Sequence, residues 1–141
     1  MSTTKFTKWT GDEGIEHFIK KETKCKPYSG SGINIRLKNK TAILRSVDGV
    51  DYYDDDMSNT NCIKYTLFGP EGDQDEHESR FNKPLLDKTK IKNIYVYRVK
   101  KNGRKNEYIW YGKYKIIDKR CKIHKGKSGI MRNIIVLTLD K

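Results

Sequence analysis

Cysteine is scarce and scattered in this sequence. Its 141 residues hold three, Cys25, Cys62 and Cys121, and none forms a Cys-x-x-Cys pair. His17, His77 and His124 do not stand at ligand spacing from them, which argues against structural zinc. The odd count speaks for reduced thiols rather than a disulfide framework. Long apolar runs are missing as well. No stretch reaches the roughly 18 residues a membrane-spanning helix needs, and no apolar leader opens the chain. An intracellular protein is expected.

Catalytic motifs are equally thin. Gly30-Ser31-Gly32 lacks the Gly-Lys-Ser/Thr ending of a phosphate-binding loop. Asp54, Asp55 and Asp56 are consecutive. Neighbours on a strand point to opposite faces, so three in a row do not converge on one cation. Calcium-loop spacing does not occur, and no Ser or Cys sits in a nucleophile context. No enzyme, no cofactor and no metal site are expected. There is no internal repeat, and the length fits one domain with one modest core.

Basic charge, by contrast, is abundant. The net charge is +12 and the pI about 9.6. Lysine supplies 23 of the 30 basic residues, a bias that an AT-rich genome also produces. The distribution says more than the total. Residues 1–47 carry +6, residues 48–78 carry −9 and residues 79–141 carry +15. Phosphates are drawn to the flanks and repelled by the centre. Such a layout fits a protein that clamps a nucleic-acid backbone with basic loops and keeps carboxylates for something else.

Along the chain, residues 1–10 read as a flexible arm with Phe6 and Trp9 as anchors. Gly11 to Glu22 is the helix candidate, with Ile15, Phe18 and Ile19 on one face. Alternating strands follow at Ile33–Leu37, Ala42–Val47, Cys62–Phe68, Asn93–Val99, Tyr108–Tyr111, Tyr114–Ile117 and Ile134–Leu139. Asn102-Gly103 marks a hairpin, Gly112 a bulge or bend, and Leu85–Thr89 a short helical turn. Arg98 shares a face with Ile94 and Val96, so it reads as a buried partner for a carboxylate. The fold class is mainly β (α+β), a curled barrel with a flanking N-terminal helix. Residues 1–29 form the arm and helix, and residues 30–141 the barrel.

The acidic centre is the informative stretch. Tyr52 and Tyr53 precede the aspartates, and Tyr65-Thr66-Leu67-Phe68-Gly69 follows. Two tyrosines around a carboxylate can hold a flat, polar ring, the rings stacking and the carboxylate accepting from its edge. They can equally be half-buried strand tyrosines beside a solvated turn. Trp110 and Tyr111 read as core and sheet surface. Gly69 and Gly72 read as turn residues, and Asp73 and Asn82 as loop holders.

In order and spacing these elements resemble the SRA (YDG) domain family, a PUA-superfamily module that reads modified cytosine in DNA. Its Tyr-x-x-Asp and Tyr-Thr-Gly elements resemble Tyr53, Asp56 and Tyr65-Thr66. Its later elements resemble Asp73-Gln74, Asn82 to Leu85, Trp110 to Ile116, and Gly126 to Gly129 with the strand at Asn133 to Leu139. The resemblance implies a non-enzymatic DNA-binding module that flips a modified, possibly methylated base into a pocket. Tyr53 and Tyr65 would sandwich the base and Asp56 would read its edge, with Tyr52, Thr66 and Phe68 completing the pocket. Lys100, Lys101, Arg104, Lys105, Lys125 and Lys127 would contact phosphates. A nuclear or other DNA-containing compartment, or a large DNA virus product, is implied.

The departures are specific. Only Pro70 and Glu71 separate Gly69 from Gly72, where well-known eukaryotic members carry a long finger that enters the duplex. Phe68 replaces a small residue near the methyl group, and Tyr52 replaces a glycine. No nuclease domain of the kind fused to microbial relatives is expected. Readers of phosphorothioate DNA, RNA-binding PUA-like domains and structural adaptors are the alternatives.

Overall fold

Alternating strands from across the chain assemble into one sheet. The computed structural model describes residues 4–8, 13–25, 32–103 and 105–141. Its strands are β1 (Thr4–Lys8), β2 (Ile33–Arg36), β3 (Thr41–Val47), β4 (Cys62–Thr66), β5 (Asn93–Asn102), β6 (Lys105–Lys125) and β7 (Met131–Asp140). They run in the order β2-β3-β5-β6-β7-β4, with β1 paired to β6. The expected free arm is thus a strand over Thr4–Lys8, in register with Asn106–Trp110. Neighbouring strands are antiparallel except β3 and β5, which run parallel with Val47 opposite Val99.

The hydrogen-bonded path ends at β2 and β4. Among the described residues no strand pairing joins these ends, so the expected barrel is an unclosed sheet. The ends nonetheless share one core. Ile33 of β2, Leu44 of β3, Ile63 and Tyr65 of β4, Val96 of β5 and Leu137 of β7 pack in a single apolar cluster. A side chain spans the gap where backbone pairing stops. Tyr65 on β4 donates its hydroxyl toward the carbonyls of Gly32, at 3.0 Å, and Arg45, at 3.2 Å.

The opposite face carries α1 (Glu13–Thr23). Ile19 is fully buried against Ile43, Tyr97, Val99 and Trp110, and Phe18 meets Trp110 edge-on at 5.5 Å. Burying one such side chain contributes roughly 1.5–3 kcal/mol, which holds a helix of 11 residues that would be marginal alone.

The two strands expected on either side of Gly112 are one continuous β6 of 21 residues. The register slips opposite Val96 and Tyr97, skipping Tyr111, and Gly112 adopts a φ of 101° that a side chain would resist. Trp110 therefore faces the helix and Tyr111 the inner core. The short helical turn lies slightly earlier than expected, at α2 (Asn82–Leu86). Glu78 Oε1 accepts from the amides of Phe81 and Asn82 at its start, and Pro84 falls in the first turn, where proline is tolerated.

Candidate functional site

The gap between the sheet's two ends is hollow. A cavity of about 300 Å³ opens there. Gly32, Ile33, Arg45 and Val47 line it from the β2–β3 side, and Tyr65 to Phe68 from the β4 side. Val50, Tyr52, Tyr53 and Asp55 close it from the loop that leaves β3. The rings of Tyr52 and Tyr53 lie 4.9 Å apart with a 59° tilt. Tyr53 is half-buried, whereas Tyr65 is 4 % exposed and belongs to the core. Burial pushes both phenol pKa values upward, Tyr65 far above its usual range, so both rings are neutral.

The carboxylate in the cavity is Asp55. Its Oδ1 accepts from the Thr66 amide at 2.7 Å and its Oδ2 from Ser46 Oγ at 2.8 Å. Ser46 in turn accepts from Arg98 Nη1 at 3.1 Å, and Arg98 Nη2 pairs with Asp48 at 2.9 Å. Arg98 is thus a largely buried cation serving carboxylates, as its position on β5 implied. Burial raises the pKa of Asp55, while the Arg98 hydrogen bond holds Asp48 below the ordinary carboxylate range. Asp56 lies elsewhere. Its side chain is exposed and accepts from the amide and hydroxyl of Ser58, and its backbone bridges to Lys64. It lines a shallow outer depression with Asp54, Lys64 and Asp118. Tyr52-Tyr53-Asp54-Asp55 offers the same Tyr-x-x-Asp spacing one residue earlier, with Tyr52 leading.

The rim is held by side chains reaching for backbone. Arg132 on β7, 5 % exposed, donates through Nη1 to the carbonyls of Gly69 and Gly72 and through Nη2 to that of Tyr52. Gln74 donates to the carbonyls of Leu67 and Gly69 and accepts from the Ile135 amide. Asn82 accepts from the Phe68 amide and returns a bond to its carbonyl. Asp73 accepts from the Asn133 amide at 2.8 Å. Gly72 turns this loop with a φ of 67°. Phe68 leans on Phe81, and Arg80 covers both rings. Arg45 and Arg132 escaped sequence reasoning: no motif marks either, and the contacts that place them run through backbone carbonyls.

Comparison with known proteins places the fold. The family model described as ScoMcrA-like, SRA domain, matches residues 16–141. The chain belongs to that family. No curated protein matches its sequence. Solved structures share the SRA fold at low identity. The sulfur-binding and SRA domains of ScoMcrA, complexed with phosphorothioated DNA, align at 18 % identity and a TM-score of 0.58 over 80 % of this chain. KRYPTONITE in complex with mCHG DNA aligns at 18 % and 0.57 over 81 %. The SUVH5 SRA complex with methylated CHH DNA aligns at 21 % and 0.55 over 81 % of this chain and 75 % of that one. The chain spans 33 % of the ScoMcrA chain and 28 % of KRYPTONITE.

Two basic hairpins flank the cavity in this SRA fold. Because β3 and β5 run parallel, the loop after Val47 and the β5–β6 hairpin leave the sheet at one edge. Lys100 and Lys101 are exposed on that hairpin, and Arg104 lies outside the described residues. Lys105 opens β6. The β6–β7 hairpin crosses the acidic stretch. Lys119 pairs with Glu76, Lys122 with Asp54, and Lys125 with Asp51 at 2.8 Å. Lys127 is exposed at its turn. The acidic centre is thereby part-neutralised by β6. Among the described residues no three His, Cys, Asp or Glu side chains gather as metal ligands would, and no helix is long and apolar enough to cross a membrane.

Proposed function

We propose that this chain is a non-enzymatic reader of modified DNA that receives an extruded base in the cavity between β2–β3 and β4. The observation that carries this is the pairing of tyrosine rings with a half-buried carboxylate inside a cavity of about 300 Å³. That volume lies at the small end of ligand sites, roughly 300–1,000 Å³, and a single nucleobase is a small ligand. Tyr65 and one or both of Tyr52 and Tyr53 supply stacking faces. Asp55 takes the edge-reading role that sequence spacing alone would give to Asp56. It is fixed by Thr66 and Ser46, and an ionised carboxylate accepts from an exocyclic amino group. Arg45 lines the cavity and accepts from the Tyr65 hydroxyl through its carbonyl. The SRA family match and the DNA named with ScoMcrA, KRYPTONITE and SUVH5 support a DNA partner. Lys100, Lys101, Arg104, Lys105 and Lys127 hold the backbone, and the protein works wherever such DNA is kept.

A fluorescence-anisotropy panel tests this at fixed, stated salt. It compares duplexes carrying cytosine, 5-methylcytosine and other modified bases with a phosphorothioate duplex and an RNA duplex. Preference for one modified base supports the base reader. Preference for phosphorothioate alone assigns the modification to the backbone instead. Equal or stronger binding to RNA, or no binding, sinks the proposal.

A further inference from the structure

The parallel register of β3 and β5 sets Ser46 directly opposite Arg98. Residues in register on neighbouring strands share a face of the sheet. Their side chains meet there, Arg98 Nη1 donating to Ser46 Oγ at 3.1 Å. Ser46 is buried, and neither residue lines the cavity of about 300 Å³. Arg98 stands in a second hollow of about 290 Å³, together with Asp48, Lys100 and Tyr111. Asp55 lines both hollows and forms the wall between them. What Arg98 does on one side of that wall therefore reaches a base on the other side only through Asp55.

The protons along this line have a direction. Arginine offers donors alone, whereas a serine hydroxyl has one proton and two lone pairs. The guanidinium takes a lone pair of Ser46, and its charge keeps the hydroxyl proton turned away from it. That proton points to Asp55 Oδ2, 2.8 Å away. The Thr66 amide, another group that only donates, meets Oδ1 at 2.7 Å. Both oxygens of Asp55 thus face donors within the wall, and the lone pairs turned to the cavity can only accept. Such an edge suits an exocyclic amino group and opposes a keto oxygen in the same place. Asp48 fixes the guanidinium from behind, 2.9 Å from Nη2. The Thr66 amide is held in the backbone of β4, so the Ser46 hydroxyl is the rotor in this chain of bonds.

We infer that Arg98 is a positioning residue that sets which base edge the cavity accepts, acting through Ser46 on Asp55 and touching no base itself. The inference rests on the base-reading function proposed above. Without the cation, Ser46 is free to turn its proton away and accept one from Asp55. The carboxyl then donates to a keto oxygen as well as it accepted from an amino group, and the choice between them is lost.

The test uses Arg98→Met, Arg98→Lys, Ser46→Ala and the double variant Arg98→Met/Ser46→Ala in the full chain, with circular dichroism and melting curves checking the fold. Anisotropy is read on two duplexes that differ only at the target. One carries 5-methylcytosine, and the other thymine, which has the same outline with a keto oxygen for the amino group. Each target stands opposite an abasic site, so that extrusion costs both the same. The parent should prefer 5-methylcytosine by roughly ten- to a hundredfold. Arg98→Met should shrink that ratio to within about threefold, chiefly by binding thymine better, and Ser46→Ala should do the same. The double variant should lose no more than either single one, because effects that run through one link do not add. Arg98→Lys keeps a cationic donor but not the two-pronged fork, and should restore part of the ratio. An unchanged ratio in Arg98→Met overturns the inference and leaves the base reader standing. Equal weakening for both targets overturns it too, since a merely structural role would do that, as would a double variant whose loss is the sum of the two. Should Arg98→Met fail to fold, an unchanged ratio in Ser46→Ala overturns it alone. A parent that prefers thymine removes the inference but not the base reader. A parent without preference among any bases removes both.

Discussion

Asp55 and Thr66 hold one another in place. The Thr66 amide donates to Asp55 Oδ1 at 2.7 Å, and the amide just before Asp55, that of Asp54, donates to Thr66 Oγ1 at 2.8 Å. The loop after β3 and strand β4 are thus laced together at the floor of the cavity. Thr66 is buried. Thr66→Val keeps its shape but strips the acceptor and leaves the Asp54 amide unpaired, which should cost about 1–3 kcal/mol. Thr66→Ser should cost less than half of that. Urea denaturation of the two variants checks both values.

Asp55→Asn and Asp56→Asn should behave in opposite ways. Burial raises the folded pKa of Asp55 above its unfolded value, near 3.8. The folded state therefore holds its proton more tightly, and stability falls as pH rises from about 3.8 through the folded value. Asp55→Asn should remove that fall and give a Tm at pH 7 equal to or above the parent's, while preference between bases is lost. The folded pKa of Asp56 is lowered by its Ser58 hydrogen bonds. Its stabilisation is present above about 3.8 and disappears as pH falls through the folded value. Asp56→Asn should leave base preference intact. Thermal melts across pH 2.5–8 (roughly the range these carboxylates need), with binding at neutral pH, separate the two.

Much of the sheet was legible because its strands alternate cleanly: Ile33, Ile35 and Ile94, Val96 announce their faces without help. Phe18 and Ile19 announced the helix in the same way. Tyr52, Tyr53, Tyr65, Thr66 and Phe68 line one cavity as their spacing grouped them, but the aspartate that joins them is Asp55 and not Asp56. Tandem tyrosines at 52–53 and three aspartates at 54–56 allow two registers of the same Tyr-x-x-Asp spacing. What separates them is which carboxyl meets Ser46 and Thr66, and that depends on strands remote in sequence. β1 escaped because Thr4–Lys8 is stabilised by pairing with residues a hundred positions away rather than by a pattern of its own. Arg132 escaped because its partners are carbonyls, which every residue has.

The tyrosines should divide by role. Tyr65→Ala removes a core ring and should cost about 3–5 kcal/mol of stability. Tyr65→Phe loses only the hydroxyl bonds to Gly32 and Arg45, about 1 kcal/mol, and should still stack a base. Tyr53→Ala, at a half-buried position, should remain folded. It should lose roughly 1–3 kcal/mol of binding, for the preferred base alone. Melting curves paired with anisotropy on modified and plain duplexes read this out.

Backbone contacts should register in the salt dependence. Each of Lys100→Ala, Lys101→Ala and Lys127→Ala should weaken binding alike for all sequences and lower the log–log salt slope by about one. Lys125→Ala should change the slope less, because its Nζ already lies 2.8 Å from Asp51. Titrations at four salt concentrations decide between these outcomes.

Strand β4 carries Tyr65 and Thr66, yet its sheet neighbour is β7, with Thr66 opposite Val136 and Cys62 opposite Asp140. The order of assembly follows from that pairing. A growing chain can complete β2, β3, β5 and much of β6 while β4 still lacks its strand partner. Its 70-residue wait exposes an apolar strand during synthesis, a period in which chains of this kind are prone to misassociate. A truncation that removes Met131–Asp140 should yield a protein whose helix-covered half still folds and whose cavity never forms. For this chain, the cavity closes in one step, once β7 is there for β4 to pair with, and not strand by strand.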